Sequence, residues 1–298
     1  MSRKNRIIGQ QLQAYLWGLL AITGFAFTLP ATKLAVPLFG VMAVGFGRAA
    51  IAGILSLILL KVTDSNLPKF RQIKRLAIVA FGVVFGFPIF SAYGMKYAPA
   101  SHGAIIIGVL PLFTAIFGVF LAKERPSLSY WLVGITGSST IIFYSLYMGR
   151  GSLHPADLAL LFAAISGAIG YAEGARLAKD LGSWRVICYA LVFSLPLTIP
   201  LTIITAEMNS LNNYFMAWLG LLYLGIVSMF LGFFAWYKAL KMGGIAKISQ
   251  LQLLQPFITI FVSYFLFEEQ ISKTMIFVLT IVLLCVNWTR TAKVSRSF

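Results

Sequence analysis

Of 298 residues, 59% are apolar and only 11% are charged, against roughly 45–50% and 25% in a soluble domain, and the mean hydropathy is +0.89. Too little polar sequence remains to cover a water-facing surface of this size. The net charge of +16, from 24 Lys and Arg against 8 Asp and Glu, would point to a nucleic-acid surface in a soluble chain; here its meaning depends on where the charges fall.

A helix needs about 20 apolar residues to cross the ~30 Å hydrocarbon core of a bilayer. Ten such stretches follow one another, at 11–31, 38–60, 76–95, 101–122, 128–148, 156–177, 186–204, 214–240, 246–267 and 274–289. The pattern predicts an all-α integral membrane protein of ten transmembrane helices whose partner is the lipid bilayer. The first stretch is longer than a signal h-region and no small-residue cleavage site follows it, so it reads as a retained helix. Only Lys96-Tyr97-Ala98-Pro99 and Lys241-Met242-Gly243-Gly244 separate the third from the fourth span and the eighth from the ninth.

Of the 24 basic residues, 19 fall at the N-terminus, the C-terminus and alternate loops, including Lys69, Arg71, Lys74 and Arg75. Lys33, Lys96, Arg150 and Lys273 fall on the opposite side, and Arg48 is left inside the second helix. The positive-inside rule then orients both termini to the cytoplasm. No loop is long enough to form a nucleic-acid-binding domain. Trp131, Trp184, Trp218, Trp236, Tyr144, Tyr147 and Trp288 are expected as interfacial anchors. Cys188 and Cys285 lack partner spacing for a disulfide or a metal, and no cofactor is indicated. With two His and neither H-E-x-x-H nor G-x-S-x-G, the chain is not read as an enzyme, and no catalytic residue is assigned.

Sliding the chain by 145 residues aligns 94–124 with 239–269 without a gap. Six of 31 positions are identical, among them Lys96 with Lys241, Pro111 with Pro256 and Glu124 with Glu269. Two halves, 1–148 and 149–298, then hold five helices each. An odd number turns the second copy upside down, giving two inverted five-helix repeats.

Trp17-Gly18, Phe46-Gly47-Arg48, the paired Glu124-x-x-Ser127 and Glu269-x-x-Ser272, and Asp157-Leu158-Ala159 occur in an order that resembles the EamA-type branch of the drug/metabolite transporter superfamily. The resemblance implies transport of small metabolites across a bacterial inner membrane. It places helices one to four and six to nine around a central cavity, with five and ten peripheral. The expected activity is secondary transport of a small-molecule substrate by alternating access, with export of amino acids or related zwitterions favoured. Uptake of a nucleotide-like metabolite or cofactor is the alternative in the same fold, and a lipid flippase or a non-transport membrane subunit is the alternative in another class.

Polar residues within the spans are the substrate candidates, because they are costly in hydrocarbon. In helix nine Ser249, Gln252, Gln255, Thr259 and Ser263 share a stripe about 120° wide, with Gln250 outside it; Thr114 is the polar counterpart in helix four. Such a stripe suits either substrate contacts or interhelical hydrogen bonds. Arg48 sits about ten residues into its helix and needs an acceptor, either a substrate carboxylate or a structural acid, for which Glu173 is available unless Arg176 holds it. Tyr93 and Trp236 represent the aromatic-rich helices three and eight, which either stack on substrate or pack. Pro111 and Pro256 are candidate gating kinks. His102 is expected as a solvated tip. Gly134 with Ser138 and Gly170 with Gly174 have close-packing spacing, the first pair at a contact that would make a homodimer. With no acid predicted near the bilayer centre, facilitated movement, exchange and coupling through Glu173 are the routes left open.

Overall fold

A computed structural model describes residues 3–148, 154–208, 214–291 and 294–296. Among the described residues the long helices are, in chain order, α1 (Gly9–Phe39), α2 (Val41–Val62), α3 (Phe70–Tyr97), α4 (Ala100–Ala122), α5 (Leu128–Met148), α6 (Pro155–Leu181), α7 (Ser183–Thr205), α8 (Tyr214–Gly243), α9 (Ile245–Phe267) and α10 (Lys273–Thr291). Among the described residues eight of them, α1 to α4 and α6 to α9, are long and apolar enough to cross a membrane. Their outward faces carry large exposed apolar residues such as Leu20, Ile58, Phe81, Phe162, Ile203 and Phe261, as lipid contact requires.

The breaks between helices fall where backbone chemistry permits them. Gly40, Gly182 and Gly244 adopt φ of 82°, 92° and 98° at the α1/α2, α6/α7 and α8/α9 turns, a conformation that glycine adopts without strain. The break after α1 is therefore at Gly40, and not at the polar run around Lys33: Lys33, Leu38 and Phe39 belong to α1. Lys33 is tolerated there because its Nζ donates to the Ala98 carbonyl at 3.1 Å and lies 3.5 Å from Glu269.

Five helices are interrupted, α1 by a turn at Phe27 that separates Ala26 from Thr28. The segments Ala80–Gly86 of α3 and Leu224–Leu231 of α8 are π-helical, and they occur close to the 145-residue offset. In α4 a turn at Gly108 and Val109 separates Ala100–Ile107 from Leu110–Ala122. In α9 a 3₁₀ segment, Gln250–Leu254, separates Ile245–Ser249 from Gln255–Phe267. Pro111 and Pro256 each lie in the first turn after these breaks, where the missing N–H costs little. They start a helical segment rather than kink a continuous one.

Packing explains the small residues. A Cβ on Gly82 would lie 2.5 Å from the Ser166 carbonyl, and one on Gly170 would lie 2.5 Å from Val83, so α3 and α6 meet nearly backbone to backbone. Gly174 faces the Tyr237 ring of α8, which would lie 2.3 Å from a Cβ at that position. A Cβ on Gly134 would lie 3.1 Å from Leu112 of α4, and Ser138 is buried, so within the chain this pair packs α5 against α4. α5 and α10 pack on one another. The aromatic anchors divide: Trp218 and Tyr147 are exposed, whereas Tyr144 and Trp236 are buried. The side chain of Trp288 lies outside the described residues.

Candidate functional site

The two ends of α4 and α9 are joined in a reciprocal way. Each helix closes on a non-glycine residue in the left-handed region, Lys123 (φ 55°) and Glu268 (φ 53°), and each is followed by the repeated glutamate. Glu124 accepts from the N–H groups of Ile245 and Ala246 at 2.9 and 2.7 Å, at the start of α9. Glu269 accepts from Ala100 and Ser101, both at 2.9 Å, at the start of α4. Both contacts satisfy orphan N–H donors and place negative charge on the positive end of a helix dipole. The two helices therefore run antiparallel, each N-terminus held by the carboxylate that follows the other.

The ends differ in water access. At the Glu124 end Glu173, 1% exposed, is held by Arg75 and by Arg176 Nη1 at 2.8 Å, and Arg75 also reaches Asp180 at 3.2 Å. This ionic clasp joins the start of α3 to the end of α6. Nearby, Gln250 donates to the Tyr130 hydroxyl, which donates to the Ala246 carbonyl at 3.2 Å. At the Glu269 end two open cavities of about 450 and 600 Å³ flank the Ala98-Pro99 turn, one lined by His102, Tyr144, His154, Asp157 and Glu269, the other by Lys33, Lys96 and Glu207. His102 is not a solvated tip: its Nε2 lies 2.9 Å from Asp157 Oδ1 and its ring 5.5 Å from Tyr144.

Between these ends lies a constriction of about 20 Å³ lined by Phe25, Thr28, Arg48, Phe87, Tyr171, Ser228, Phe233 and Gln255, among others. That volume holds about one water molecule. Arg48, 2% exposed, donates from Nη2 to Ser228 Oγ at 2.7 Å, and Ser228 is 2.8 Å from Thr28 Oγ1. The π-helical turn of α8 brings Ser228 to this point. Arg48 Nε and Nη1 meet no acceptor among the described residues. Glu173, the acid available to it in the sequence, is held by Arg75 and Arg176 instead.

A second narrow space, of about 10 Å³, adjoins it and is lined by Ile107, Gly108, Gln252, Gln255, Pro256 and Thr259, so the breaks in α4 and α9 face one another. Much of the polar stripe of α9 is interhelical bonding. Thr259 donates to the Ala26 carbonyl at 2.7 Å and Gln255 Nε2 to the Phe25 carbonyl at 3.4 Å, while Tyr223 of α8 donates to the Gly24 carbonyl at 2.9 Å. Three successive α1 carbonyls ahead of the turn at Phe27 are thus satisfied from neighbouring helices. Ser249, Ser263 and Thr114 bond to carbonyls of their own helices. Gln252 is the exception, with its Oε1 buried and without a partner among the described residues.

Trp236 is fully buried, with its ring 5.5 Å from Tyr171 and 6.1 Å from Phe25, and its Nε1 likewise lacks a partner among the described residues. Tyr93 is 38% exposed, pairs with Tyr97 at 5.1 Å, and lines neither narrow space. The residues brought together at the centre are therefore Arg48, Gln252, Gln255, Thr259 and, one layer out, Trp236. Ser228, Thr28 and Tyr171 complete the group. Thr28 and Ser228 were hidden in sequence because a single hydroxyl in an apolar helix is common, and Tyr171 because it sits among small residues.

Comparisons with known proteins agree with this architecture. The family model described as EamA-like transporter family matches twice, over residues 12–146 and 154–289. The chain is 39% identical over 269 residues to the uncharacterized transporter YdeK of Bacillus subtilis (strain 168), covering 90% of this chain and 94% of that protein. It is 23% identical over 260 residues to a probable terminal-alkyne amino-acid exporter of Streptantibioticus cattleyicolor, covering 83% of each. A crystal structure with 19% identity superposes with a TM-score of 0.69, covering 93% of this chain and 98% of that one, which is a likeness of fold. Two matched copies over most of the chain and a relative at 39% identity lead to one conclusion: the protein belongs to the EamA-like transporter family, within the drug/metabolite transporter superfamily.

Proposed function

We propose that this multi-pass transporter exports amino acids or related zwitterions across a bacterial inner membrane by alternating access, with ten transmembrane helices in two inverted five-helix repeats and both termini in the cytoplasm. The observation that carries the mechanism is the reciprocal capping of α4 and α9 by Glu269 and Glu124. Equivalent helices that run antiparallel and hold each other at both ends are what two inverted copies would produce. Rocking one copy against the other then exchanges which end is open. The clasp of Arg75, Glu173 and Arg176 closes the end rich in basic loops, and the cavities beside Glu269 stand open at the other. Support for the substrate class comes from the buried, partly unpaired Arg48 and from the distant relative that is named as an amino-acid exporter.

The test is purified protein in liposomes challenged with radiolabelled amino acids, nucleosides and cofactors. Accumulation of amino acids above empty liposomes is expected. Flux of nucleotide-like solutes alone would move the assignment to the alternative substrate class, and lipid crossing without solute flux would replace it with a flippase. Reporter fusions at Arg71 and Lys96 test orientation: Arg71 is expected in the cytoplasm and Lys96 outside, and the reverse would overturn it.

A further inference from the structure

Buried polar atoms are almost always hydrogen-bonded, and unpaired ones mark strain, unseen ligands or function. Four of the unpaired buried atoms among the described residues collect around the centre of the chain: Arg48 Nε and Nη1, Gln252 Oε1 and Trp236 Nε1. Tyr171 ties them together. It lines the constriction with Arg48, interacts with Gln252 and stacks edge-on against Trp236. The set holds two cationic donors, one neutral donor and one neutral acceptor. The walls between them are the rings of Phe25, Phe87, Tyr171 and Phe233.

We infer, resting on the transporter reading above, that the central site takes an α-amino acid with a large apolar or aromatic side chain. Its carboxylate sits on the Arg48 guanidinium, its ammonium on Gln252 Oε1, and its side chain on the rings of α1, α3, α6 and α8. A guanidinium meets a carboxylate with strong charge-assisted hydrogen bonds. Ser228, itself hydrogen-bonded to Thr28, takes a bond from Nη2 and fixes the plane of the guanidinium, and Nε and Nη1 are left without a partner among the described residues. Among the described residues Arg48 is the one cation lining either narrow space, so a monoanionic carboxylate is neutralised there while a phosphate dianion is left with excess charge. An ammonium has an amide oxygen and aromatic faces to meet it. The present volume of about 20 Å³ admits no amino acid, so binding must part the helices that carry these groups. This links occupancy of the site to the rocking of the halves.

The experiment is counterflow of tritiated L-phenylalanine in proteoliposomes with three competitors that each remove one recognised feature. L-phenylalanine methyl ester lacks the carboxylate, 3-phenylpropionate lacks the ammonium, and glycine lacks the side chain. Unlabelled phenylalanine is expected to compete at least tenfold better than any of them. Arg48→Gln is expected to remove the preference for the acid over the ester, and Gln252→Leu the preference for phenylalanine over 3-phenylpropionate. Size exclusion and thermal unfolding serve as folding controls. If Arg48→Gln fails to fold, the wild-type competitor series and Gln252→Leu decide. An ester that competes as well as phenylalanine, or transport of some other panel solute without transport of phenylalanine, overturns this assignment and leaves the transporter reading intact. Flux of no solute at all removes both.

Discussion

Glu124 and Glu269 make the same pair of contacts at equivalent ends of two helices, yet their removal should not cost the same. Glu124 is 4% exposed and accepts two N–H groups at 2.9 and 2.7 Å. In Glu124→Ala both donors at the start of α9 are left buried and unpaired. Hydrogen bonds to a charged group contribute about 1.5–3 kcal/mol each, and loss of the favourable dipole interaction adds up to about 1 kcal/mol, so a loss of about 3–5 kcal/mol is expected. At Glu269 the distances are similar, 2.9 Å to each N–H, but the carboxylate lines an open cavity of about 450 Å³. Water replaces it there, and the charge-assisted surplus together with the partly exposed Lys33 pair, about 1–2 kcal/mol, is lost. Reversible unfolding of the two alanine variants in mixed micelles measures the difference directly. Glu124→Gln should fall between wild type and alanine, since an amide supplies one acceptor and sets a donor against the second N–H. A cost at Glu269 equal to or above that at Glu124 would refute the argument that one end is sealed and the other wet.

Further outcomes follow from the same geometry. Glu173→Gln leaves Arg75 and Arg176 without their shared, buried carboxylate and is expected to lower stability by about 3 kcal/mol, whereas Asp180→Asn, half exposed, should change it by under about 0.5 kcal/mol; chemical denaturation ranks the two. Gly174→Ala drives a methyl into the Tyr237 ring and is expected to cost about 1–3 kcal/mol, with Tyr237→Leu on the same chain recovering most of it in a thermal-unfolding comparison. Thr259→Val removes one bond to the Ala26 carbonyl and should cost about 1 kcal/mol while leaving the order of competitors in counterflow unchanged. A changed order would make Thr259 a substrate contact.

Hydropathy made the membrane-spanning helices legible because lipid imposes length and apolarity on every spanning segment, and those two properties need no tertiary information. The 145-residue offset was equally visible in Pro111 with Pro256 and Glu124 with Glu269. What could not be read was the purpose of the glutamates, since a cap on another helix depends on which N-terminus lies beside it. Lys33 misled for a related reason: a lysine beside threonine looks like a loop until its long stem is seen reaching the Ala98 carbonyl and Glu269. Gln250 lay outside the polar stripe drawn at 100° per residue, yet it is buried, because α5 brings Tyr130 against it from another side. His102 needed the fold to bring Asp157 from 55 residues away.

The π-helical turns of α3 and α8 carry a mechanical consequence of their own. Such a turn holds one residue more than the ladder around it requires, and one residue is worth about 100° of rotation in an α-helix. The surplus can migrate along the rod when successive N–H groups exchange a fifth-neighbour carbonyl for a fourth-neighbour one, so that the stretch it crosses rotates while both ends of the helix stay anchored. In α8 that stretch carries Ser228, the hydroxyl on Arg48, and in α3 it contains Gly82, pressed against the backbone of α6. A helix built this way can swing a side chain in or out of the protein's axis with no hinge and no change in length.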